Sequence, residues 1–325
     1  MATAKAAILG SIPPAQLELF RSQIPTDLEL VVVDGQLPEE EIIAQCQDVD
    51  AIIISGADLT ASVARACPKL KLIQTLSAGY DRLDLNSIGE LGIPVANNGG
   101  TNAIAVSEQT VGLMLMVSKR MANLWYSATK ERKWRGGYTS VDLHEITGKS
   151  VGIVGLGRVG KQVAKRLRGF DCEVVYHDVV TIPPEIEKEL SVKRIPFDEI
   201  LQTCDYVSLH VPLTPRTHKM VGKRELEMMK PSAILINACR GPVVDEKALY
   251  EALKAGVIAG AGLDVLEVEP TPVDNPILDL ENVVVTPHTA GPSYETVLRS
   301  AAFAYENIQR VVTGQPPESV VTPDY

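Results

Sequence analysis

The sequence lacks several features that would indicate a membrane, secreted or metal-binding protein. No apolar run approaches the length of a membrane span, and the opening residues MATAKAAILGS lack the long apolar core of a signal peptide. The five cysteines are odd in number and show no C-x-x-C spacing, which disfavours a disulfide framework and a zinc site. We therefore expect a cytoplasmic protein with no membrane partner and no metal centre.

An excess of positive charge is also absent. Lysine and arginine number 31 against 41 aspartates and glutamates, which gives a net charge of −10. This balance disfavours nucleic acid as the main partner, although a small anion could still bind in a locally basic pocket. What the chain does have is size and apolar content. Its 325 residues, 45% of them hydrophobic, suffice for two cores, so two domains are expected.

Short apolar runs alternate with helix-like spacing along the whole chain. This alternation predicts an α/β protein with parallel sheets covered by helices on both faces. In the first part, strands are predicted at 6–10, 30–33, 51–55, 72–76 and 93–97, and helices at 13–24, 38–47 and 59–67. One long helix over 102–129 and a loop at 133–140 follow. A second series has strands at 150–155, 173–177, 205–211, 233–237, 258–264 and 283–286, and the chain closes with a helix at 293–313.

A glycine-rich turn opens the second series. In VGIVGLGRVGKQVAKRL, Gly155, Gly157 and Gly160 have G-x-G-x-x-G spacing, leave an apolar strand and begin a helix. Such a turn lets the backbone approach a pyrophosphate at the helix N-terminus. The next strand ends in Asp178, whose carboxylate can accept hydrogen bonds from the ribose hydroxyls of NAD and would repel the 2′-phosphate of NADP. No arginine or lysine follows in VVTIPP. NAD is therefore the expected cofactor, with NADP less favoured.

Polar residues follow three later strands. Arg240 comes just after AILIN, Glu269 follows AGAGLDV, and His288 follows NVVV. Parallel strands end at one edge, so these residues are expected near the nicotinamide end of a bound dinucleotide. A histidine held by a carboxylate can act as a general acid or base, and arginine can bind a carboxylate. Each residue alone could have a structural role, for example Arg240 paired with Asp245 or Asp264.

Taken together, the motifs resemble the D-isomer-specific 2-hydroxyacid dehydrogenases over nearly the whole chain. The motifs are SAGYDRLD (77–84), NNGGTNAIAVSEQTVGLML (97–115), TGKSVGIVGLGRVGKQVAKRL (147–167), DYVSLHVPLTPRTHKMV (205–221), MKPSAILINACRGPVVDEKAL (229–249), AGAGLDVLEVEP (259–270) and NVVVTPHTAG (282–291). The resemblance implies two doubly wound parallel-sheet domains, with a Rossmann-type NAD domain at 101–291 inserted into a flavodoxin-like substrate domain at 1–100 plus 292–325. It also implies a homodimer with part of 102–145 at the interface. Trp125 and Trp134 could lie there, or each could be a buried aromatic residue.

The resemblance also assigns roles to individual residues. Arg240 matches the substrate-binding arginine, Glu269 the carboxylate that orients the histidine, and His288 the acid/base. The turn Ser77, Ala78 and Gly79 is similar to the one that binds the substrate carboxylate through its N–H groups. Positions that match cofactor contacts are Thr110, Gly155, Gly157, Arg158, Val159, Gly160, Asp178, His210, Val211, Thr217, Ala238, Cys239, Arg240, Asp264, His288, Ala290 and Gly291.

The predicted reaction is the interconversion of a small 2-keto acid, such as glyoxylate, hydroxypyruvate or pyruvate, and its D-2-hydroxy acid. Phosphoglycerate enzymes often show Val-Arg-Ser where Ile54, Ser55 and Gly56 stand here, which disfavours a phosphorylated substrate. A phosphite dehydrogenase on the same scaffold would keep the Arg–Glu–His set and stays open as an alternative, whereas Glu269 disfavours a formate enzyme. A non-catalytic NADH-sensing adaptor is the remaining alternative.

Overall fold

The structure, a computed structural model, describes residues 4–134 and 136–322. The first three residues of MATAKAAILGS and Arg135 of the predicted loop 133–140 lie outside the described residues. The chain forms two compact units, unit 1 over Met1–Asn102 and Gly291–Tyr325 and unit 2 over Ala103–Ala290. Gly291, placed in the cofactor domain by the resemblance, therefore belongs to unit 1. Within the described ranges, no helix combines the length and the apolar character needed to cross a membrane.

Twelve strands and twelve α-helices are found in the described residues. The strands are β1 (Ala4–Gly10), β2 (Leu28–Val33), β3 (Ala51–Ser55), β4 (Leu72–Thr75), β5 (Val95–Ala96), β6 (Ser150–Val154), β7 (Glu173–His177), β8 (Lys193–Arg194), β9 (Tyr206–Leu209), β10 (Ile234–Asn237), β11 (Gly260–Leu263) and β12 (Val283–Val285). The helices are α1 (Pro14–Arg21), α2 (Glu39–Cys46), α3 (Ala61–Arg65), α4 (Leu85–Gly89), α5 (Ala103–Ser118), α6 (Met121–Tyr126), α7 (Arg158–Leu167), α8 (Pro184–Leu190), α9 (Phe197–Thr203), α10 (Lys223–Met228), α11 (Glu246–Lys254) and α12 (Tyr294–Val312).

Unit 1 is built on a five-stranded parallel sheet in the order β2-β1-β3-β4-β5. The apolar runs AIIIS and LIQT are buried along most of their length, as expected for strands covered on both faces. The strand order is that of flavodoxin-like folds. The strand predicted at 93–97 is shorter than expected, since only Val95 and Ala96 pair with β4.

Unit 2 is built on a seven-stranded parallel sheet in the order β12-β11-β10-β9-β6-β7-β8. The strand order reverses between β6 and β9, which is the switch point where doubly wound sheets bind ligands. Both sheets confirm the predicted α/β class. The sequence did not predict β8, because its two exposed basic residues, Lys193 and Arg194, show no apolar pattern.

The prediction of one helix over 102–129 is wrong, because α5 ends at Ser118. Arg120 adopts a left-handed conformation with φ 50°, and a short helix and a π-helical turn follow it. Tertiary hydrogen bonds explain the break. The carbonyl of Ser118 accepts from the backbone N–H of His144 at 2.9 Å, and Arg120 and Asn123 donate to the carbonyl of Glu281. These bonds replace helical ones, so the tertiary fold overrides the helical propensity of the sequence.

Candidate active site

The polar residues predicted from the second series lie along the carboxyl edge of the sheet in unit 2. In spatial order the edge runs from His288 after β12, through Asp264 after β11 and Arg240 after β10, to the glycine turn after β6 and Asp178 after β7. Strands β12 and β7 are five intervals apart, or about 24 Å. One elongated molecule lying along this edge can therefore meet all of these positions.

Each of the three positions in the turn requires or allows glycine for a different structural reason. A side chain at Gly155, where φ is +94°, would have its Cβ 2.4 Å from the carbonyl oxygen of His210. A Cβ at Gly160 would lie 2.1 Å from the carbonyl oxygen of Gly155, so this glycine allows α7 to pack closely on the strand. At Gly157, a Cβ would meet nothing within 4 Å, and no described side chain caps the helix that begins there. Open space at an uncapped helix N-terminus fits the pyrophosphate of a dinucleotide.

Asp178 holds the far end of this edge. Its two carboxylate oxygens accept from the backbone N–H groups of Leu156, at 2.7 Å, and Val180, at 2.8 Å, which fixes the carboxylate beside the glycine turn. Sequence reasoning missed Arg194, whose guanidinium donates to the carbonyl of Asp178 at 2.6 Å. The parallel pairing of β8 with β7 brings it there. A basic residue in the next strand, rather than in the loop after the aspartate, is the signal that could have revealed it.

His210 lies at the switch point in its neutral form. Its Nε2 lies 2.8 Å from the hydroxyl of Ser208, whereas its buried Nδ1 has no hydrogen-bond partner among the described residues. Burial lowers the pKa of His210 to about 4. The Nδ1 atom is therefore a polar group beside the predicted cofactor position that a ligand or a water molecule can satisfy.

The loop that carries Arg240 is fixed by Asn237, the last residue of β10. The buried Asn237 side chain donates to the carbonyl of Arg240 at 3.0 Å and accepts from the N–H and thiol of Cys239. The guanidinium of Arg240 donates to the carbonyl of Cys239 at 2.7 Å. A Cβ at Gly241 would lie 1.8 Å from the carbonyl oxygen of Leu266, so only glycine allows this loop to approach the loop that follows β11. Burial raises the pKa of the Cys239 thiol and favours its protonated form.

Glu269 and His288 form a directly bonded pair. The Glu269 Oε2 atom lies 2.6 Å from Nδ1 of His288, and the Oε1 atom accepts from the backbone N–H of Leu266 at 3.0 Å. Because a carboxylate can only accept, Nδ1 keeps its proton and Nε2 is the nitrogen that gains or loses one. The imidazole is about half exposed, with 48% of the side chain accessible, so a substrate can reach it.

Several other predicted cofactor positions contribute small apolar or structural groups. Val159, Ala238 and Ala290 pack with Val106 into one small apolar cluster, which brings together residues from the glycine turn, the arginine loop and the histidine loop. Three predicted positions have their polar groups engaged within the protein. These are Thr110, which donates to Val106, Thr217, which donates to Pro212, and Asp264, whose carboxylate accepts from Thr286, Thr289 and Ala290. Val211 packs against the core of unit 2, and Arg158 begins α7.

In unit 1, the predicted substrate turn follows β4 at the carboxyl edge of its sheet. Each carbonyl of Ser77, Ala78 and Gly79 accepts a bond from a side chain or backbone N–H of the same unit. The donors are Thr75 and Asn98 to Ser77, Asn97 to Ala78, and the Ser77 hydroxyl to Gly79. A bound anion would therefore not face an unpaired carbonyl in this turn.

Sequence reasoning also missed a guanidinium at the end of β3. It found no arginine among Ile54, Ser55 and Gly56, but the side chain of Arg82 reaches back and donates to the carbonyl of Gly56 at 3.2 Å. The arginine is exposed and follows the predicted substrate turn in the motif SAGYDRLD. A cation is thus present near this strand end, supplied by a different loop.

No group of three or more His, Cys, Asp or Glu side chains suited to a metal ion is found among residues 4–134 and 136–322. The donors described above instead match a dinucleotide and a small organic anion. Hydride transfer needs a cofactor, a proton donor and a group that positions the substrate, and each has a candidate on the edge of unit 2.

Comparisons with known proteins agree with this geometry. A family model described as "D-isomer specific 2-hydroxyacid dehydrogenase, NAD binding domain" matches residues 111–290. The chain is 39% identical over 305 residues to a glyoxylate reductase of Korarchaeum cryptofilum, covering 92% of this chain and 91% of that protein. It is 37% identical over 295 residues to a D-3-phosphoglycerate dehydrogenase of Methanocaldococcus jannaschii, covering 90% of this chain but 55% of that protein. The solved structure of a glyoxylate reductase from Paecilomyes thermophila matches with a TM-score of 0.84 at 29% identity, covering 99% of both chains.

Proposed function

The chain belongs to the D-isomer-specific 2-hydroxyacid dehydrogenase family, and from that premise we propose that it reduces a small 2-keto acid to the D-2-hydroxy acid with NADH. The observation that carries this proposal is the Glu269–His288 pair at 2.6 Å, on the same sheet edge as Arg240 and the glycine turn. The overall reaction converts 2-keto acid, NADH and one proton into 2-hydroxy acid and NAD⁺, and it runs in both directions.

The residues of unit 2 perform the other steps of the reaction. When bound, the reduced nicotinamide supplies the hydride that reaches C2 of the keto acid. Protonated His288 donates the proton on Nε2 to the carbonyl oxygen, while Glu269 holds the ring through Nδ1 and stabilises its positive charge. Arg240 binds the substrate carboxylate and so orients the carbonyl. In the reverse direction neutral His288 removes the hydroxyl proton.

We propose NAD rather than NADP as the cofactor. The support is Asp178, whose carboxylate is fixed by two backbone N–H groups at the place where an adenosine ribose is expected. A 2′-phosphate there would meet a fixed negative charge. The guanidinium of Arg194 donates to the backbone carbonyl of Asp178 and would attract a 2′-phosphate, so variants of both residues test the preference for NAD.

The proposed substrates follow from the residues that are expected to bind the carboxylate. Ser77, Ala78 and Gly79 of unit 1 are proposed, from the resemblance described above, as residues that bind the substrate carboxylate, and Arg240 of unit 2 is proposed for the same role. Glyoxylate, hydroxypyruvate and pyruvate carry one carboxylate and no second anionic group, so they are the first candidates. Arg82 adds a cation at the end of β3, so 3-phosphohydroxypyruvate belongs in the same test.

The proposal is tested with a panel of 2-keto acids, with phosphite and 3-phosphohydroxypyruvate added, using NADH and NADPH side by side. We expect NADH-dependent turnover of at least one small 2-keto acid. The variant His288→Ala should lose at least a hundredfold in kcat, in line with general-acid contributions, while its NADH affinity is retained. The matched control is His218→Ala, at an exposed loop position, which should behave as wild type. Equal turnover of the His288→Ala variant and wild type would contradict the assignment.

We also propose a cytoplasmic homodimer. The support for the dimer is an exposed apolar segment in unit 2. Trp125, Trp134 and Val141 in this segment are 58%, 88% and 80% exposed, respectively. The alternative of a buried tryptophan is wrong for both residues. Large exposed apolar surfaces mark interaction sites, and light scattering after size-exclusion chromatography should give twice the chain mass. The five cysteines are free thiols in the structure, consistent with a reducing compartment.

A further inference from the structure

The backbone of His288 adopts an unusual conformation. Its φ is +53°, in the left-handed region that residues other than glycine rarely occupy. Such a conformation is unfavourable by itself and persists only where the surroundings hold it. Because the imidazole direction follows from this backbone, whatever holds the loop also determines where the proton of Nε2 points.

Asp264 holds this loop on both sides of the histidine. Its backbone carbonyl accepts from the N–H of His288 at 2.7 Å. Its carboxylate accepts from the next two N–H groups, with Oδ1 3.0 Å from the nitrogen of Thr289 and Oδ2 2.9 Å from that of Ala290. Asp264 is only 2% exposed, so this carboxylate is buried among the donors it satisfies.

Two further side chains hold Asp264 in turn. The hydroxyl of Thr286, at the end of β12, lies 2.5 Å from Oδ1 of Asp264, and the side-chain amide of Gln109 lies 3.1 Å from the same hydroxyl oxygen. A hydroxyl has one proton, which goes to the carboxylate, so its oxygen accepts from the amide. Gln109 lies on α5, which packs closely on β11 because Gly262 has no side chain to clash with Leu113.

We propose that Gln109, Thr286 and Asp264 form a positioning chain that fixes the loop of His288 for proton transfer. The role of this loop in proton transfer rests on the proposed function, whereas the hydrogen bonds of the chain do not depend on it. Gln109 and Thr286 carry no role from the sequence, and Asp264 matched only a cofactor contact. The chain links helix α5 to the acid/base through one hydroxyl, so Thr286 is the residue at which it can be interrupted most cleanly.

The test replaces Thr286 with valine, which has the same shape without the hydroxyl. We expect kcat to fall by about ten- to a hundredfold, the factor for one lost hydrogen bond to a charged group. The KM for the keto acid and the Kd for NADH should stay within about threefold, because neither ligand site is removed. Thr286→Ser keeps the hydroxyl and should restore most of the activity. Thr203→Val, at an exposed helical threonine of unit 2, is the matched control and should not differ from wild type.

A second readout does not depend on turnover. Hydrogen–deuterium exchange in a peptide covering 286–291 should be at least about tenfold faster in the Thr286→Val variant than in wild type and the serine variant. Unchanged exchange and unchanged kcat in Thr286→Val would overturn the positioning chain. If wild type turns over no 2-keto acid, the proposed function fails, yet the exchange comparison still decides the inference. If Thr286→Val does not fold, Gln109→Leu removes the outer bond of the chain, and faster exchange at 286–291 is again the required result.

Discussion

Two of the glycines should respond in opposite ways to a single methyl group. At Gly157 the backbone has φ −72°, and a Cβ would meet nothing within 4 Å, so Gly157→Ala should fold as well as wild type. Removing glycine freedom from the unfolded chain adds up to about 1 kcal/mol of stability at a compatible site. At Gly160 the added Cβ would lie 2.1 Å from the carbonyl oxygen of Gly155, which forces the backbone to move. Overpacking of this kind costs about 1–3 kcal/mol.

These free energies translate into separable measurements. For a domain of this size each kcal/mol shifts the Tm by about 2–4 °C. Gly160→Ala should therefore melt about 2–12 °C lower, whereas Gly157→Ala should melt at the wild-type temperature or slightly above. NADH binding, unlike folding, should be impaired by Gly157→Ala, because the methyl group occupies the space expected for the pyrophosphate. Its Kd, measured by NADH fluorescence, should rise by at least about tenfold, which corresponds to 1.4 kcal/mol.

The result that would refute this reasoning is a Gly157→Ala variant with wild-type affinity for NADH. It would mean that no phosphate approaches the backbone there, although the helix N-terminus is open. A Gly157→Ala variant that melts well below wild type would refute the packing argument instead, because it would show a contact at Gly157 that the structure does not contain. The two failures are distinct, since one appears in binding and the other in unfolding.

Two further predictions concern charge. Burial lowers the pKa of His210 from its ordinary 6.5 to about 4 in the folded protein. Its contribution to the free energy of unfolding is therefore complete above pH 6.5 and is lost as the pH falls toward 4. The full loss is about 3 kcal/mol, and urea unfolding of His210→Gln should show a weaker pH dependence in that window; equal slopes would contradict it. Asp178→Ser should raise NADPH use relative to NADH by about a hundredfold, because Arg194 is already in place, and Asp178→Ser/Arg194→Gln should lose that gain. NADPH use that is the same in both variants would exclude Arg194.

How much of the fold follows from the sequence depends on whether a signal is local. Apart from β8, the strands of both sheets are mainly apolar runs with no competing pattern, so a local reading finds them and their parallel class. The break after Ser118 is not local, because the hydrogen bonds that end α5 come from His144 and Glu281, far along the chain. The same holds for β8, which is a strand only because its backbone pairs with β7.

The residues of the candidate site also differ in whether a local signal in the sequence reveals them. Glycine spacing and residues at strand ends are local features, and they led to Arg240, Glu269 and His288. The residues that position them act through distant partners. Nothing in the sequence around Thr286 indicates that its hydroxyl joins Gln109, 177 positions earlier, to Asp264. Charge placement was missed for the same reason, as Arg194 shows.

The way these groups are held explains why the family is easier to infer than the substrate. Arg240 is fixed by Asn237 and Glu269 by the N–H of Leu266, whatever acid the enzyme reduces. Bonds of this kind hold the groups that are proposed to act on the part common to every 2-keto acid and its hydroxy acid, and their residues lie within the motifs. The choice between acids must come from groups that vary around the rest of the substrate. Arg82 has one described bond, to the carbonyl of Gly56, and is exposed, so we expect that replacing it leaves the bonds that hold Arg240 and Glu269 intact.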